Sequence, residues 1–323
     1  MTPKYLWRVL VVTVLVVGLP IVPSLVAGSR APVADESAVA SDDRRSATAP
    51  AKPDVLDPEA ARSWAAASLV SGRGMWIWEF DTVEGGDPEA IVARAKAEGL
   101  SYVLIRAGSS RMGFYAKPHL DALLPVAHAN GLKVLVWDFP YLENPEADAR
   151  RVAAEFAYTT PDGHRVDGLA PDVEEPAQGV TLTRDRAERF ARTLRRLVGP
   201  EAIVVMCTPR PSPPRLANYP YAEMAPYVDA WAPMVYWSFD GPEVDTQLAI
   251  ERLGTYGKPV APVGRAYDMR PEGGPDQPPA HETLAFLEVA RQLGAPGVSF
   301  WSWQHASSQT WSVIRGFDWP ARD

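Results

Sequence analysis

From Gly74 onward, short apolar runs alternate with longer stretches in which apolar positions recur every three to four residues. The runs are Met75–Phe80, Tyr102–Arg106, Lys133–Phe139, Gly168–Glu174, Ala202–Thr208, Ala230–Trp237, Pro259–Tyr267 and Gly297–Trp303. Their starts lie 27 to 38 residues apart, the span of one strand, one helix and two loops. Helical period is plain in Pro88–Ala95, Leu120–Ala127 and Thr183–Leu197, and Gly99, Gly131, Gly199 and Gly294 stand where helices would end before the next strand. Runs apolar on both faces fit a parallel sheet covered by helices. Eight such units in about 250 residues predict an α/β fold, the (β/α)8 TIM barrel. An open doubly wound sheet is the competing arrangement. It usually carries a Gly-rich first turn, whereas the first run here reads Trp76-Ile77-Trp78-Glu79-Phe80.

The N-terminal part has a different pattern. Residues 1–28 carry Lys4 and Arg8, then an almost wholly apolar stretch from Val9 to Ala27, then small residues, which is the layout of an export signal. Cleavage of this segment and its retention as a membrane anchor through residues 9–27 both fit, and either places the rest of the chain outside the cytoplasm, secreted or tethered. Residues 29–70 are rich in Ala, Pro, Asp, Ser and Arg and read as a disordered tether, with a short helix from Asp57-Pro58-Glu59 to about Leu69. The barrel is expected to occupy residues 71–323.

Composition narrows the function classes. A net charge of -8 without any basic run argues against a nucleic-acid partner. Cys207 is the only cysteine, so no intramolecular disulfide can form, and its apolar setting Ile203-Val204-Val205-Met206 reads as a buried structural thiol. No local His, Cys or carboxylate spacing matches a metal site and no phosphate loop is present, so no cofactor is expected.

The C-terminal ends of barrel strands build the active site in this fold, and here they carry a concentration of aromatic and charged groups. The expected sugar-binding set is Trp76, Trp78, Arg106, Trp137, Asp138, Trp237, Tyr267, Trp301, Trp303 and Gln304. Six of the 11 tryptophans of the chain fall among these strand ends. Indole faces stack on sugar rings while Arg, Gln and carboxylates bond hydroxyls, so the partner expected is an oligo- or polysaccharide. The fourth run adds Asp172 and Glu174, which project to one side of an extended strand because side chains alternate. Paired carboxyls in partial burial separate into an acid that keeps its proton and an ionised neighbour.

That fourth-run segment, Val166-Asp167-Gly168-Leu169-Ala170-Pro171-Asp172-Val173-Glu174-Glu175-Pro176, resembles the signature of the family 18 chitinases, Phe-Asp-Gly-x-Asp-x-Asp-x-Glu followed by Tyr-Pro. Asp167, Gly168, Asp172, Glu174 and Pro176 agree with it, whereas Ala170 replaces the middle aspartate and Glu175 the aromatic residue. Met234-Val235-Tyr236-Trp237 looks like the family's Met-x-Tyr-Asp with Trp237 in place of the aspartate, and Phe300-Trp301-Ser302-Trp303 looks like its last strand. The family 25 lysozymes are a second relative in the same clan of chitinase-like barrels. They share Asp-x-Glu on the fourth strand and a second strand similar to Val103-Leu104-Ile105-Arg106-Ala107, but their first-strand aspartate has no counterpart in Trp76-Ile77-Trp78.

What the resemblance implies is a glycoside hydrolase with three catalytic residues. Glu174 would protonate the leaving oxygen, Asp172 would orient the substrate's own acetamide as internal nucleophile, and Tyr236 would hydrogen-bond that group. This substrate-assisted route is confined to 2-acetamido sugars, as in chitin or peptidoglycan glycan. Ala170 removes a group that helps set the charge of Asp172 in the family. The alternative reading is therefore a non-catalytic glycan-binding barrel, distinguished by whether Asp172, Glu174 and Tyr236 act together.

Overall fold

A computed structural model describes residues 57–237 and 240–320 of the chain. The expected signal or anchor, residues 1–28, and the tether as far as residue 56 lie outside the described residues. The strands among the described residues are β1 (Gly72–Ile77), β2 (Tyr102–Ser109), β3 (Gly113–Phe114), β4 (Lys133–Phe139), β5 (Gly168–Leu169), β6 (Val205–Pro209), β7 (Ala230–Val235), β8 (Val263–Arg265) and β9 (Gly297–Trp301). All but β3 run parallel in the order β5-β4-β2-β1-β9-β8-β7-β6. Parallel bridges from Leu169 to Val204 and from Asp172 to Cys207 join the two ends of that series. The product is the expected (β/α)8 barrel. Each apolar run supplies one barrel strand, and the addition that the pattern does not announce is β3, which pairs antiparallel with the end of β2.

The uniformly apolar runs still alternate in the barrel. Met75 and Ile77, Val103 and Ile105, and Val134 and Val136 face the helices, whereas Trp76, Tyr102, Leu104, Leu135 and Trp137 fill the interior. Both faces are dry, so strand direction decides which layer a side chain joins and hydrophobicity cannot reveal it. The helices begin and end on local signals. Asp57, Asp87 and Thr183 accept first-turn N–H groups as N-caps, and Gly99, Gly131, Gly199 and Gly294 take positive φ just past helix ends.

The lower end of the barrel departs from expectation. The helix Pro58–Leu69 is part of the folded unit and does not belong to the tether. Ala66 and Leu69 are buried with the interior cluster, and a Cβ on Gly168 would stand 2.5 Å from Leu69 Cδ2. Arg62 pairs with Asp229 and donates to the Pro200 carbonyl at 3.0 Å. These contacts sit at the N-terminal ends of the strands and close that end with small and apolar side chains. An Ala-rich stretch gives little sequence signal of burial, and for that reason the packing of this helix on the barrel is not announced by the sequence.

Candidate active site

The carboxyl pair is positioned by an irregular strand. β5 proper ends at Leu169 because Pro171 has no N–H to continue the ladder, but the chain stays extended between its neighbours. Ala170 and Asp172 donate their N–H groups to Val136 O at 2.7 Å and Asp138 O at 2.9 Å on one side. On the other side Cys207 N–H donates to Pro171 O at 3.0 Å, and Val173 N–H to Cys207 O at 3.1 Å. Alternation therefore continues beyond the assigned strand. Ala170 lies in the interior cluster, Leu169 and Val173 in the outer one, and Asp172 and Glu174 follow Ala170 inward at the upper mouth.

Asp172 is 7% exposed, and its Oδ1 has no hydrogen-bond partner. Burial lifts its pKa to about 6; the Cys207 thiol and the Arg106 charge pull it down, and Asp138 pushes it up. Burial also lifts Glu174, to about 8, with the Asp172 charge adding to it and Arg215 opposing. Between those values Asp172 is ionised and Glu174 keeps its proton. Glu175, on the opposite side of the chain, is tied to Arg215 Nε and Nη2 at 2.9 and 2.6 Å. Tyr236 is half-buried beyond the end of β7, and its hydroxyl pKa is raised by burial, with Cys207, Tyr267, Asp172 and Glu174 contributing. The Tyr236 and Tyr267 rings meet edge to face at 5.6 Å, and Tyr267 OH donates to Glu272 at 3.1 Å.

Four of the expected tryptophans converge beside these groups. Trp76 donates from Nε1 to Ser299 Oγ at 2.9 Å, and Trp137 from Nε1 to Ile77 O at 3.0 Å; both rings are buried. Above them Trp301 lies 6.1 Å from Trp76, 5.3 Å from Trp137 and 6.4 Å from Trp78. Trp78 and Trp301 are only half-buried, so they offer ring faces while Trp76 and Trp137 form the floor. The guanidinium of Arg106 stands 5.2 Å from the Trp137 ring. Gln304 accepts the Trp78 N–H at 3.4 Å and donates to Glu79 O at 3.0 Å, which makes it a clasp at the rim. The peptide bond from Trp301 to Ser302 is cis.

Other expected contacts fall elsewhere. Trp237 is 2% exposed, stacks on Phe286 at 5.3 Å and donates to Glu282 at 2.8 Å. Trp303 is 4% exposed, packs edge to face on Trp311 at 5.2 Å and donates to Glu84 at 3.2 Å. Both belong to the layer between strands and helices and have no face for a sugar. Chain direction explains this for Trp237: it follows Tyr236, which points inward. Asp138 is also withdrawn, since both its oxygens receive bonds from Arg151, at 2.7 and 2.8 Å.

Sequence reasoning missed Glu155 and Tyr115. Glu155 is fully buried on the helix Pro145–Ala157. It falls on the same face as Ala149 and Val152, and a carboxyl on an apolar helical stripe is the signal that was available. Tyr115 follows β3, a two-residue strand with no periodic signature; burial lifts its pKa to about 12, and Arg106, Glu155 and Asp138 all act on it. Among the described residues no group of three or more His, Cys, Asp or Glu is placed to hold a metal ion.

No protein-family model and no curated protein matches the chain. Solved structures do match its fold. The endo-beta-1,4-mannanase of Thermotoga petrophila superposes with a TM-score of 0.58 at 12% identity, covering 78% of this chain and 77% of that one. The C-terminal domain of a chitinase-designated protein of Desulfitobacterium hafniense gives 0.54 at 14% identity, covering 76% and 99%. The family 18 chitinase of Cycas revoluta, solved in complex with allosamidin, gives 0.53 at 11% identity, again over 76% and 99%. The chain thus has the chitinase-like barrel fold common among glycoside hydrolases. These likenesses concern the fold alone.

Proposed function

We propose that the protein is an extracytoplasmic glycoside hydrolase acting on glycans that contain 2-acetamido sugars. The observation that carries this reading is the carboxyl pair: on one extended segment, Asp172 and Glu174 face the mouth with pKa values of about 6 and about 8. Glu174 gives its proton to the glycosidic oxygen as general acid. Asp172, ionised, orients the substrate acetamide and stabilises the positive charge that develops when its carbonyl oxygen attacks the anomeric carbon. Tyr236 donates a hydrogen bond to the acetamide. Trp78 and Trp301 stack on the sugar, and Arg106 keeps Asp172 charged.

Support for the substrate class comes from the chitinase-like neighbours, including the Cycas revoluta enzyme solved with (GlcNAc)3. The polymer it fits is chitin-like or peptidoglycan glycan. Export, and tethering through residues 9–27, rest on the sequence of the N-terminal segment. One observation favours the second reading, a glycan-binding barrel without turnover: Ala170 stands where the resemblance would place a carboxyl. Incubating the protein with chitin oligomers and with purified peptidoglycan, followed by mass analysis, separates the two. Shortened products that vanish in Glu174→Gln support the hydrolase. Saturable binding with intact glycans supports the binding module.

A further inference from the structure

A second carboxyl pair lies behind the wall of the site. Asp138 is the last residue but one of β4, and its carbonyl oxygen accepts the N–H of Asp172 at 2.9 Å, so the two residues are cross-strand neighbours. Its carboxylate is bound by Arg151, which also donates to Asp148 at 2.7 Å. Against it sits Glu155, one helical turn beyond Arg151 and fully buried, with neither oxygen receiving a bond from any donor group. The backbone makes room for this pair. The β2–β4 register slips between Arg106 and Gly108, and a Cβ on Gly108 would stand 2.5 Å from Glu155 Oε1 and 2.8 Å from Asp138 Oδ2. Any larger residue would evict one of the carboxyls.

Two carboxyl groups this close and out of water, with a guanidinium bonded to Asp138 and not to Glu155, cannot both be charged. Glu155 is the one that keeps a proton: burial and the Asp138 charge both raise its pKa. With Arg151 on it, Asp138 is the anion. Asp138 thus stands as an anion beside Asp172, masked by Arg151, which also binds Asp148; Asp148, Arg106 on the next strand and Tyr115 are the other charged or titratable groups around the pair. The other titratable groups facing Asp172 are Cys207, Tyr219, Tyr236 and its own neighbour Glu174.

We propose that Asp138, locked by Arg151, and Glu155 beside it in the space opened at Gly108 are positioning residues that set the charge of Asp172. The inference rests on the role given to Asp172 above. A purely packing role is the competing explanation. Under it, substitutions would move stability and leave the titration of Asp172 alone.

The test reads Asp172 directly, by carbon-13 NMR titration of labelled aspartate side chains, with Asp172→Asn to assign the signal. Asp138→Asn removes a like charge, so the Asp172 midpoint should fall by about one pH unit. Arg151→Gln unmasks Asp138, so the midpoint should rise. Glu155→Gln should leave it in place, because the amide is neutral like the protonated acid it replaces. The signs are opposite for the first two variants, so either one that folds decides the matter. An unmoved midpoint in a folded Asp138→Asn or Arg151→Gln overturns the proposal, as does a fall in Glu155→Gln equal to that in Asp138→Asn. Loss of fold in both of the first two variants also overturns it, by assigning the network to stability. The measurement needs no turnover. A wild-type protein that cleaves nothing yet shows these shifts would refute the hydrolase reading and keep the pairing.

Discussion

Arg215 holds Glu175 through one carboxylate oxygen, at 2.9 and 2.6 Å, and so separates two adjacent glutamates into different chemical situations. The outer one is an ion pair at the rim. Glu174, whose nearest charge is another carboxylate, faces the mouth and retains its proton.

The first consequence concerns turnover. Glu174→Gln is expected to lower hydrolysis by about 10²–10⁴-fold while oligosaccharide binding persists. Glu175→Gln should keep most of the rate. Both are checked by kcat/KM on a glycan that the wild-type protein cleaves, and the reverse ranking would place the wrong glutamate in the mouth.

The pH profile follows from the same pair. The proposed hydrolysis requires Asp172 ionised and Glu174 protonated, so kcat/KM should rise through about pH 6 and fall through about pH 8. A profile flat across that window, measured with the fold intact, would exclude the assignment.

Stability should move the other way from activity. Glu174 binds its proton more tightly folded than unfolded, so its contribution is full below its unfolded pKa and is lost as pH rises through about 8. Glu174→Gln is therefore expected to melt above the wild-type protein at pH 8, with the gap closing toward pH 4.5. Differential scanning calorimetry across that range gives the answer.

The tryptophans divide into two groups by their layer. Trp78→Ala and Trp301→Ala should weaken oligosaccharide binding several-fold, each removing a stacking face worth on the order of 1 kcal/mol. Trp237→Ala and Trp303→Ala should cost about 3–5 kcal/mol of stability, with affinity per folded molecule unchanged. Paired denaturation and binding measurements on the four variants test the division.

At the lower end, a chain beginning at Ser71 loses Ala66, Leu69 and the Arg62–Asp229 pair. It should melt well below one beginning at Asp57 and expose interior apolar surface to hydrophobic dyes. Equal melting temperatures would show that the helix only rests on the barrel.

The barrel was legible because short apolar runs recur eight times at a spacing that fits one helix and two loops between them. The carboxyl pair was legible because alternation by two residues survives even across Pro171, where the ladder fails. The same alternation turns Trp237 outward because Tyr236 points inward, whereas the likeness of this segment to a family motif points Trp237 toward the site. Asp138 looks like a sugar contact in the sequence because nothing there reveals that Arg151, on the next helix, reaches back to it. Glu155 and Tyr115 depend on a two-residue strand and a register slip, features set by tertiary packing and absent from any periodic pattern.

Cys207 gives the protein a built-in clock. It is the sole thiol of the chain, it bridges to Asp172 across the closing seam of the barrel, and burial raises its pKa far above that of a free cysteine. The thiol lies in the barrel interior beside Asp172 and is buried, so a reagent reaches it only when the side chains and strands around it open. The rate of alkylation in native buffer therefore measures how often the surroundings of Asp172 open, a quantity otherwise hidden beneath global unfolding. Slowing of that rate by a bound oligosaccharide would report occupancy of the mouth without any chromogenic substrate.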